Sequence, residues 1–282
     1  MNERAACTLG GLSYSGRMTE IDAAALNTEL AGRYAKIDVV ASTGSTNADL
    51  RKALDEGAPD RTVLIADEQT AGVGRRARNW SSPKGAGLYL SVALRPQGVS
   101  YAALGSLSVV AGLAVRAAAA AVGVDAVLKW PNDVLAGGAK CAGILSEVGG
   151  SEPSVVLGIG LNVTPLGDVE PGPGGLPATS LAEQGATGTD RTAIAVSLLT
   201  GLDDLERRWR LAGGDLNGSG LLDDYRAHCA TLGQDVEVRL PDGTSITGRA
   251  ADIDATGQLR LDLPGGRRHT VFAGDVVHVR PA

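Results

Sequence analysis

The apolar positions of this chain follow two rhythms, and the change falls near residue 232. Ahead of it, stretches with helical spacing alternate with short apolar runs. Residues 19–31 set Ile21, Leu26 and Leu30 on one side of a helix, and Thr-Glu-Ile-Asp after Met18 has the form of a capping-box start. Residues 36–41 and 62–67 read as strands flanking a helix at 46–56 that Gly57 ends. Residues 87–95 alternate, with Leu88, Leu90, Val92 and Leu94 on one face, and predict a strand. One long alanine-rich helix, 101–122, has the length of a buried crossover. Strands are expected at 126–130, 139–148 and 154–162, a Pro/Gly loop at 164–177, and helices at 191–212 and 219–229.

Hairpins mixed with crossovers predict an α+β fold with a mixed sheet flanked by helices. Beyond Gly233 the runs shorten to strands at 235–240, 245–253, 258–263 and 267–273, separated by Pro-Asp-Gly, Ala-Thr-Gly and Pro-Gly-Gly. Such punctuation predicts a small barrel. The expected division is a flexible segment 1–18, a large domain 19–231 and a small domain 232–282.

Composition narrows the class. With 44 % apolar and 21 % charged residues among 282, the chain is globular rather than disordered. Aromatics are only 3 % and Phe272 is the single phenylalanine, so the core is aliphatic and Trp80, Trp130 and Trp209 each stand out. A net charge of −6 argues against non-specific nucleic-acid binding, which needs a basic surface. Five lysines against 21 arginines make each lysine conspicuous. Cys7, Cys141 and Cys229 are too scattered for a disulfide framework or zinc site and read as free thiols in a reducing cytoplasm. His228, His269 and His278 have no ligand spacing and read as surface or packing residues. The most apolar run, 109–124, is broken by Arg116 and does not predict a membrane span. No basic segment followed by an apolar one marks a leader, and Met18 is a candidate initiator, which intact mass would test.

Five segments carry candidate chemistry. Gly72-Val73-Gly74-Arg75-Arg76-Ala77-Arg78 superficially matches a dinucleotide fingerprint, but Asn79-Trp80-Ser81-Ser82-Pro83 follows where a helix must open. It reads instead as a cationic loop whose N–H groups and guanidiniums wrap an anion. Lys129-Trp130-Pro131-Asn132-Asp133 puts a lysine, an amide and a carboxylate at a strand end, a pattern shared with ordinary Asn-Asp turns. Lys140-Cys141-Ala142-Gly143-Ile144-Leu145 opens a strand with a lysine and carries a glycine where a ligand can approach the backbone. Ser45-Thr46-Asn47, after Gly44, is both a helix cap in form and a cluster of donors and acceptors. Gly158-Ile159-Gly160-Leu161-Asn162-Val163 ends an apolar strand on an asparagine suited to an adenine edge.

Taken in order, Gly44-Ser45-Thr46-Asn47, Gln69-Thr70-Ala71-Gly72 with the arginine loop and Trp80, Lys129-to-Asp133, Lys140-to-Leu145 and Gly158-to-Val163 resemble biotin protein ligase from about residue 36 onward. The resemblance implies the biotin–lipoate ligase fold, like that of class II synthetases, with a C-terminal SH3-like barrel. It implies an enzyme that condenses biotin with MgATP to biotinyl-5′-adenylate, then passes biotin to a lysine of the biotin carboxyl carrier domain of an acyl-CoA carboxylase. ATP and biotin are then substrates, Mg2+ accompanies ATP, and no protein metal site is expected. Catalytic roles fall to Lys140, Arg75 and Asp133. Biotin contacts fall to Ser45, Thr46, Asn47, Gln69, Val73, Gly74, Arg75, Lys140 and Gly143, and ATP contacts to Arg75, Arg76, Arg78, Trp80, Lys129, Asn132 and Asn162. In the family the loop usually reads Gly-Arg-Gly-Arg-x-Gly-Arg; here Val73 and Ala77 replace an arginine and a glycine. Cys141 stands where leucine is usual and reads as packing. Members of that family are monomers or ligand-dependent homodimers, and some carry a DNA-binding helix-turn-helix; with about 35 residues and one helix ahead of the first strand in an acidic chain, the expectation is a cytoplasmic enzyme without that domain that binds neither nucleic acid nor membrane. A lipoate or octanoate ligase or transferase of the same superfamily, and a non-catalytic biotin-responsive binding protein, remain alternatives.

Overall fold

The computed structural model describes residues 20–81, 83–149, 152–272 and 274–278. The expectations for 1–18, including Met18 and Cys7, and for the side chain of His278, lie outside the described residues. The first part of the chain runs α1 (Ala23–Glu29), β1 (Lys36–Val40), α2 (Thr46–Asp55), β2 (Thr62–Ala66), β3 (Gly87–Leu94) and α3 (Leu107–Ala121). It continues through β4 (Ala126–Lys129), β5 (Asp133–Ala136), β6 (Ala139–Gly149), β7 (Ser154–Asn162), α4 (Arg191–Leu211) and α5 (Leu221–His228). Strands β8 (Asp235–Arg239), β9 (Ser245–Ile253), β10 (Leu259–Asp262), β11 (Arg268–Val271) and β12 (Asp275–His278) follow.

Seven strands form one sheet in the order β1-β2-β3-β7-β6-β5-β4. Only the β1–β2 pair is parallel, so the sheet is mixed, as the hairpin-and-crossover pattern predicts. All eight residues of the central strand β3 are buried, because helices cover both faces. Leu88, Leu90, Val92 and Leu94 join the main core with α3, while Leu50 and Leu54 of α2 close over Leu64, Ala93 and Val156 on the other face. The second sheet, in the order β11-β10-β9-β8-β12, is antiparallel throughout and forms the SH3-like unit.

Several elements differ from the sequence pattern. Helix α1 begins later than the capping-box reading, because Asp22 caps it, accepting from Ala24 N at 2.9 Å and Ala25 N at 3.0 Å. The 101–122 run splits into a 3₁₀ turn, Tyr101–Ser106, and α3. The hydroxyl of Ser106 donates to Ala103 O and accepts from the Trp209 indole at 2.7 Å, which tightens that turn. By length and apolarity the stretch Tyr101–Ala121 is sufficient to cross a membrane, contrary to the sequence reading, but most of it is buried in this core. Two strands, β5 and β12, lie outside the strands that the pattern predicts. β5 pairs with β4 in a hairpin, Lys129 opposite Asp133, so the Asn-Asp turn is also a strand start. β12 returns antiparallel to β8. Trp130 lies past the end of β4 and joins the two sheets: its N–H bonds Thr231 Oγ1 and its indole bonds Gly257 O at 2.9 Å.

Candidate active site

A cavity of about 470 Å3 opens between the first turn of α2, the loop 69–81, strands β6 and β7, and Asp275 and Val276 of the second sheet. Its size suits a small organic ligand. At one side stands the Ser45-Thr46-Asn47 cluster. Ser45 occupies the N-cap of α2, but its side chain does not cap, contrary to expectation. Gln69 takes over: its Oε1 accepts the Thr46 N–H at 2.9 Å. Gln69 reaches that point because Thr70 N and Ala71 N bond Thr43 O and Gly44 O, zipping the two segments together. The hydroxyl of Ser45 is thereby left to the cavity wall. Asn47 is buried at 6 % exposure, its Nδ2 donating to Glu147 Oε2 at 2.7 Å and its Oδ1 accepting from Ser91 Oγ at 2.5 Å.

Glycines of two adjacent strands make the floor. Gly143 and Gly160 are cross-strand partners. A β-carbon on Gly160 would stand 2.5 Å from the Trp80 indole, and one on Gly143 would stand 2.9 Å from it. Both positions must lack a side chain for Trp80 to lie flat across the sheet. A β-carbon on Gly158 would meet Asn47 Oδ1 at 2.2 Å. Along β7 the order is therefore Asn47 over Gly158, Trp80 over Gly160, then Asn162. The four residue steps from Gly158 to Asn162 span about 13 Å.

The far side is cationic. Lys140 Nζ lies 2.6 Å from Asp133 Oδ1 and 5.2 Å from the centre of a Trp80 ring, a cation–π distance. Lys129, at 8 % exposure, donates to Val276 O at 2.8 Å, and burial holds its pKa below the usual lysine range. Arg75 donates to Asn132 Oδ1 at 3.3 Å and Gly274 O at 3.1 Å; its burial lowers its pKa, with Asp275 opposing. Asn132 in turn donates to Ile144 O. Asn162 donates to Thr179 O at 2.9 Å, while its buried Oδ1 has no partner among the described residues, an acceptor suited to a ligand N–H.

The arginine loop docks on one carboxylate of the second sheet. Asp275 lies 3.9 Å from Arg75, 3.1 Å from Arg76 and 2.9 Å from Arg78. Within the loop Arg75–Ala77 forms a 3₁₀ turn, with Arg76 at φ 56° and Ala77 at φ 54°. Alanine thus stands where glycine fits better. The other loop departure, Val73, is half exposed on the cavity rim and brings no charge.

The biotin–[acetyl-CoA-carboxylase] ligase of Mycobacterium tuberculosis is 46 % identical over 269 residues, covering 92 % of this chain and 96 % of that protein. The chain belongs to the biotin protein ligase family. A profile of the Biotin/lipoate A/B protein ligase family matches residues 39–163, and one of the Biotin protein ligase C terminal domain matches 231–279. The bifunctional ligase/repressor BirA of Bacillus subtilis is 32 % identical over 256 residues, 89 % of this chain and 76 % of that protein. The biotin protein ligase from Aquifex aeolicus, solved with biotin and ATP, matches with a TM-score of 0.72 at 26 % identity, covering 88 % of this chain and all of that one.

Within this ligase fold, the cavity gathers Ser45, Thr46, Asn47, Gln69, Val73, Gly74, Arg75, Arg78, Trp80, Lys129, Asn132, Asp133, Lys140, Gly143 and Asn162. Arg76 is the exception among the anticipated ATP contacts. Its guanidinium turns to Arg239 O at 2.7 Å and to Asp275, because its positive φ swings it toward the second sheet. Ser91, Glu147 and Asp275 also belong to the site's surroundings and carry no local signal in the sequence. Ser91 sits on the α2 face of β3, opposite the leucine face that the alternation picks out, and Glu147 reads as a surface residue on the alternating end of β6. Asp275 lay in a strand that had no pattern of its own. Cys141 is buried, and burial pushes its thiol up to about 12, so it is packing and not a nucleophile. Cys229 is buried likewise.

Proposed function

We propose that this ligase activates biotin with ATP in the cavity described, forming biotinyl-5′-adenylate, and then biotinylates one lysine of the biotin carboxyl carrier domain of an acyl-CoA carboxylase. The carrying observation is the polar-to-cationic order across the cavity, from the Thr46–Asn47 cluster through Trp80 to Lys140 and Lys129. It matches a ligand with a hydrogen-bonding head and an anionic tail that must meet a triphosphate.

In the first step a biotin carboxylate oxygen attacks the α-phosphorus and pyrophosphate leaves. Two anions must be held together, so cations are required at the junction. Lys140 is assigned the carboxylate and α-phosphate, with Arg75 and Arg78 securing the phosphates and the loop. Ser45, Thr46, Asn47 and Gln69 receive the ureido head, with the backbone of Val73 and Gly74 closing over it and Gly143 leaving room for the chain. Trp80 stacks on adenine, with Asn162 Oδ1 accepting from its amino group, Asn132 beside it and Lys129 near the phosphates. Mg2+ enters with ATP as the counter-ion of its phosphates. In the second step the carrier lysine attacks the acyl carbon and AMP leaves; Asp133 accepts the amine proton. The loop 72–80 orders over the mixed anhydride and excludes water.

The reading extends to a cytoplasmic enzyme, divided at about residue 232 into catalytic and C-terminal units, that does not bind DNA. The net charge is −6, against the basic surface that nucleic-acid binding needs. A specific shift of biotin-operator DNA would contradict that. Sedimentation with and without biotin and ATP separates a monomer from a ligand-dependent homodimer.

Biotin-dependent ATP–pyrophosphate exchange, with lipoate and octanoate as controls, tests the reading without a carrier protein. Exchange with biotin alone is expected, and Lys140→Ala should slow it about a hundredfold. Exchange with lipoate or octanoate instead of biotin would move the chain to the sister activity. Biotin binding without any exchange would make it a binding protein.

A further inference from the structure

The hydrogen bonds beneath the Thr46–Asn47 cluster form a chain with only one fully satisfied direction. Glu147 pairs with Arg51, 3.1 Å away, and a carboxylate only accepts. Asn47 therefore turns its NH2 toward Glu147 Oε2 at 2.7 Å and Leu145 O at 3.4 Å. That fixes Asn47 Oδ1 against Ser91 Oγ at 2.5 Å, buried where an unmet acceptor is costly. Ser91 has one proton, so it donates to Asn47 and has only acceptor capacity left for Thr46 Oγ1, 2.7 Å away. Thr46 must then donate to Ser91. The alternative, Thr46 donating to Gln69 Oε1 at 3.1 Å, either draws the Ser91 proton away from Asn47 Oδ1 or leaves the Ser91 and Thr46 oxygens 2.7 Å apart with no proton between them.

We infer that Glu147, acting through Asn47 and Ser91, sets the polarity of Thr46 so that its hydroxyl oxygen meets the ligand as an acceptor. Glu147 and Ser91 are positioning residues for head-group selection. Neither lines the cavity. A head that presents N–H donors, as a cyclic urea does, is then favoured; a dithiolane or a plain alkyl end offers the oxygen nothing and leaves it unpaired. The inference rests on the biotin reading above and deepens it.

The direction of the chain is testable by substitutions that change its sign without changing its shape. Glu147→Gln is isosteric at a position whose side chain is 31 % exposed. It supplies an amide donor to Asn47, lets that side chain turn over, and reverses the chain so that Ser91 donates to Thr46. Ser91→Ala removes the middle of the chain. Biotin binding by calorimetry and the KM for biotin in pyrophosphate exchange should each worsen about tenfold in either variant, with kcat and the KM for ATP within about twofold of wild type. The double variant should be no worse than about tenfold, because Glu147 has no path to Thr46 once Ser91 is gone. Losses that multiply to about a hundredfold, or wild-type affinity in Glu147→Gln, would overturn the relay. A wild-type protein that binds octanoate or lipoate but not biotin would overturn the functional reading itself, and the relay with it.

Discussion

The Trp80 indole rests on the bare backbone of Gly160, so close that a β-carbon there would stand 2.5 Å from the ring. Trp80 closes one side of the cavity and holds Lys140 at cation–π distance. A methyl group at Gly160 must displace the indole, since β7 is a central strand whose backbone is held on both sides. Gly160→Ala is expected to raise the KM for ATP about tenfold while leaving the fold intact. Pyrophosphate exchange measured against ATP concentration, beside near- and far-ultraviolet circular dichroism, checks it; an unchanged KM would remove Trp80 from the nucleotide site.

Asp275 gathers Arg75, Arg76 and Arg78 and so ties the loop to the second sheet. With its side chain 12 % exposed, it is better screened from water than an ordinary surface pair. In Asp275→Asn the three guanidiniums lose their shared counter-charge and the loop should open. Trypsin, which cleaves after arginine, is expected to cut at 75–78 several-fold faster, and biotin with ATP should restore protection. Equal cutting of wild type and variant would mean that hydrogen bonds such as Gly74 N to Arg78 O hold the loop unaided.

Ala77 sits at φ 54°, where an alanine costs roughly 1–2 kcal/mol relative to its relaxed backbone. Glycine relieves that strain but adds roughly 0.5–1 kcal/mol of unfolded-state entropy. The strain is the larger, so Ala77→Gly should raise the melting temperature by up to about 4 °C. A fall in melting temperature would show that the positive φ is not held in solution.

Burial raises the Cys141 thiol from an ordinary value of 9 to about 12. Its folded pKa exceeds its unfolded one, so its contribution to stability is complete below pH 9 and is lost as pH climbs toward about 12. Cys141→Leu removes this titration. The difference in denaturation midpoint between wild type and variant should therefore shift in favour of the variant between pH 8 and pH 10.5. A pH-independent difference would mean that Cys141 does not titrate on unfolding.

Fold class and most of the cavity wall were legible because their signals are local. Leu88, Leu90, Val92 and Leu94 announce a strand by alternation, and Gly57 ends a helix wherever it stands. Motifs such as Lys129-to-Asp133 and Gly158-to-Val163 keep their residues together in sequence, so their meeting in one cavity follows once the strands pair. The missed pieces have no local signature. The β4–β5 hairpin is made from a stretch that equally well describes a turn, and the acceptor that caps α2 comes from Gln69, 23 residues from Thr46.

Sequence alone determined the apolar rhythms, the break near residue 232, the ordered motifs and the shortage of lysines that singled out Lys129 and Lys140. Those are properties of single residues and near neighbours, and they survive without coordinates. Only the tertiary structure decided which way each polar group faces. Ser91 and Glu147 gain meaning because strand register sets them beneath Asn47. Arg76 loses its expected place because its backbone turns it toward Asp275. Hydrogen-bond direction and charge pairing depend on partners brought together from distant parts of the chain, and no local pattern encodes them.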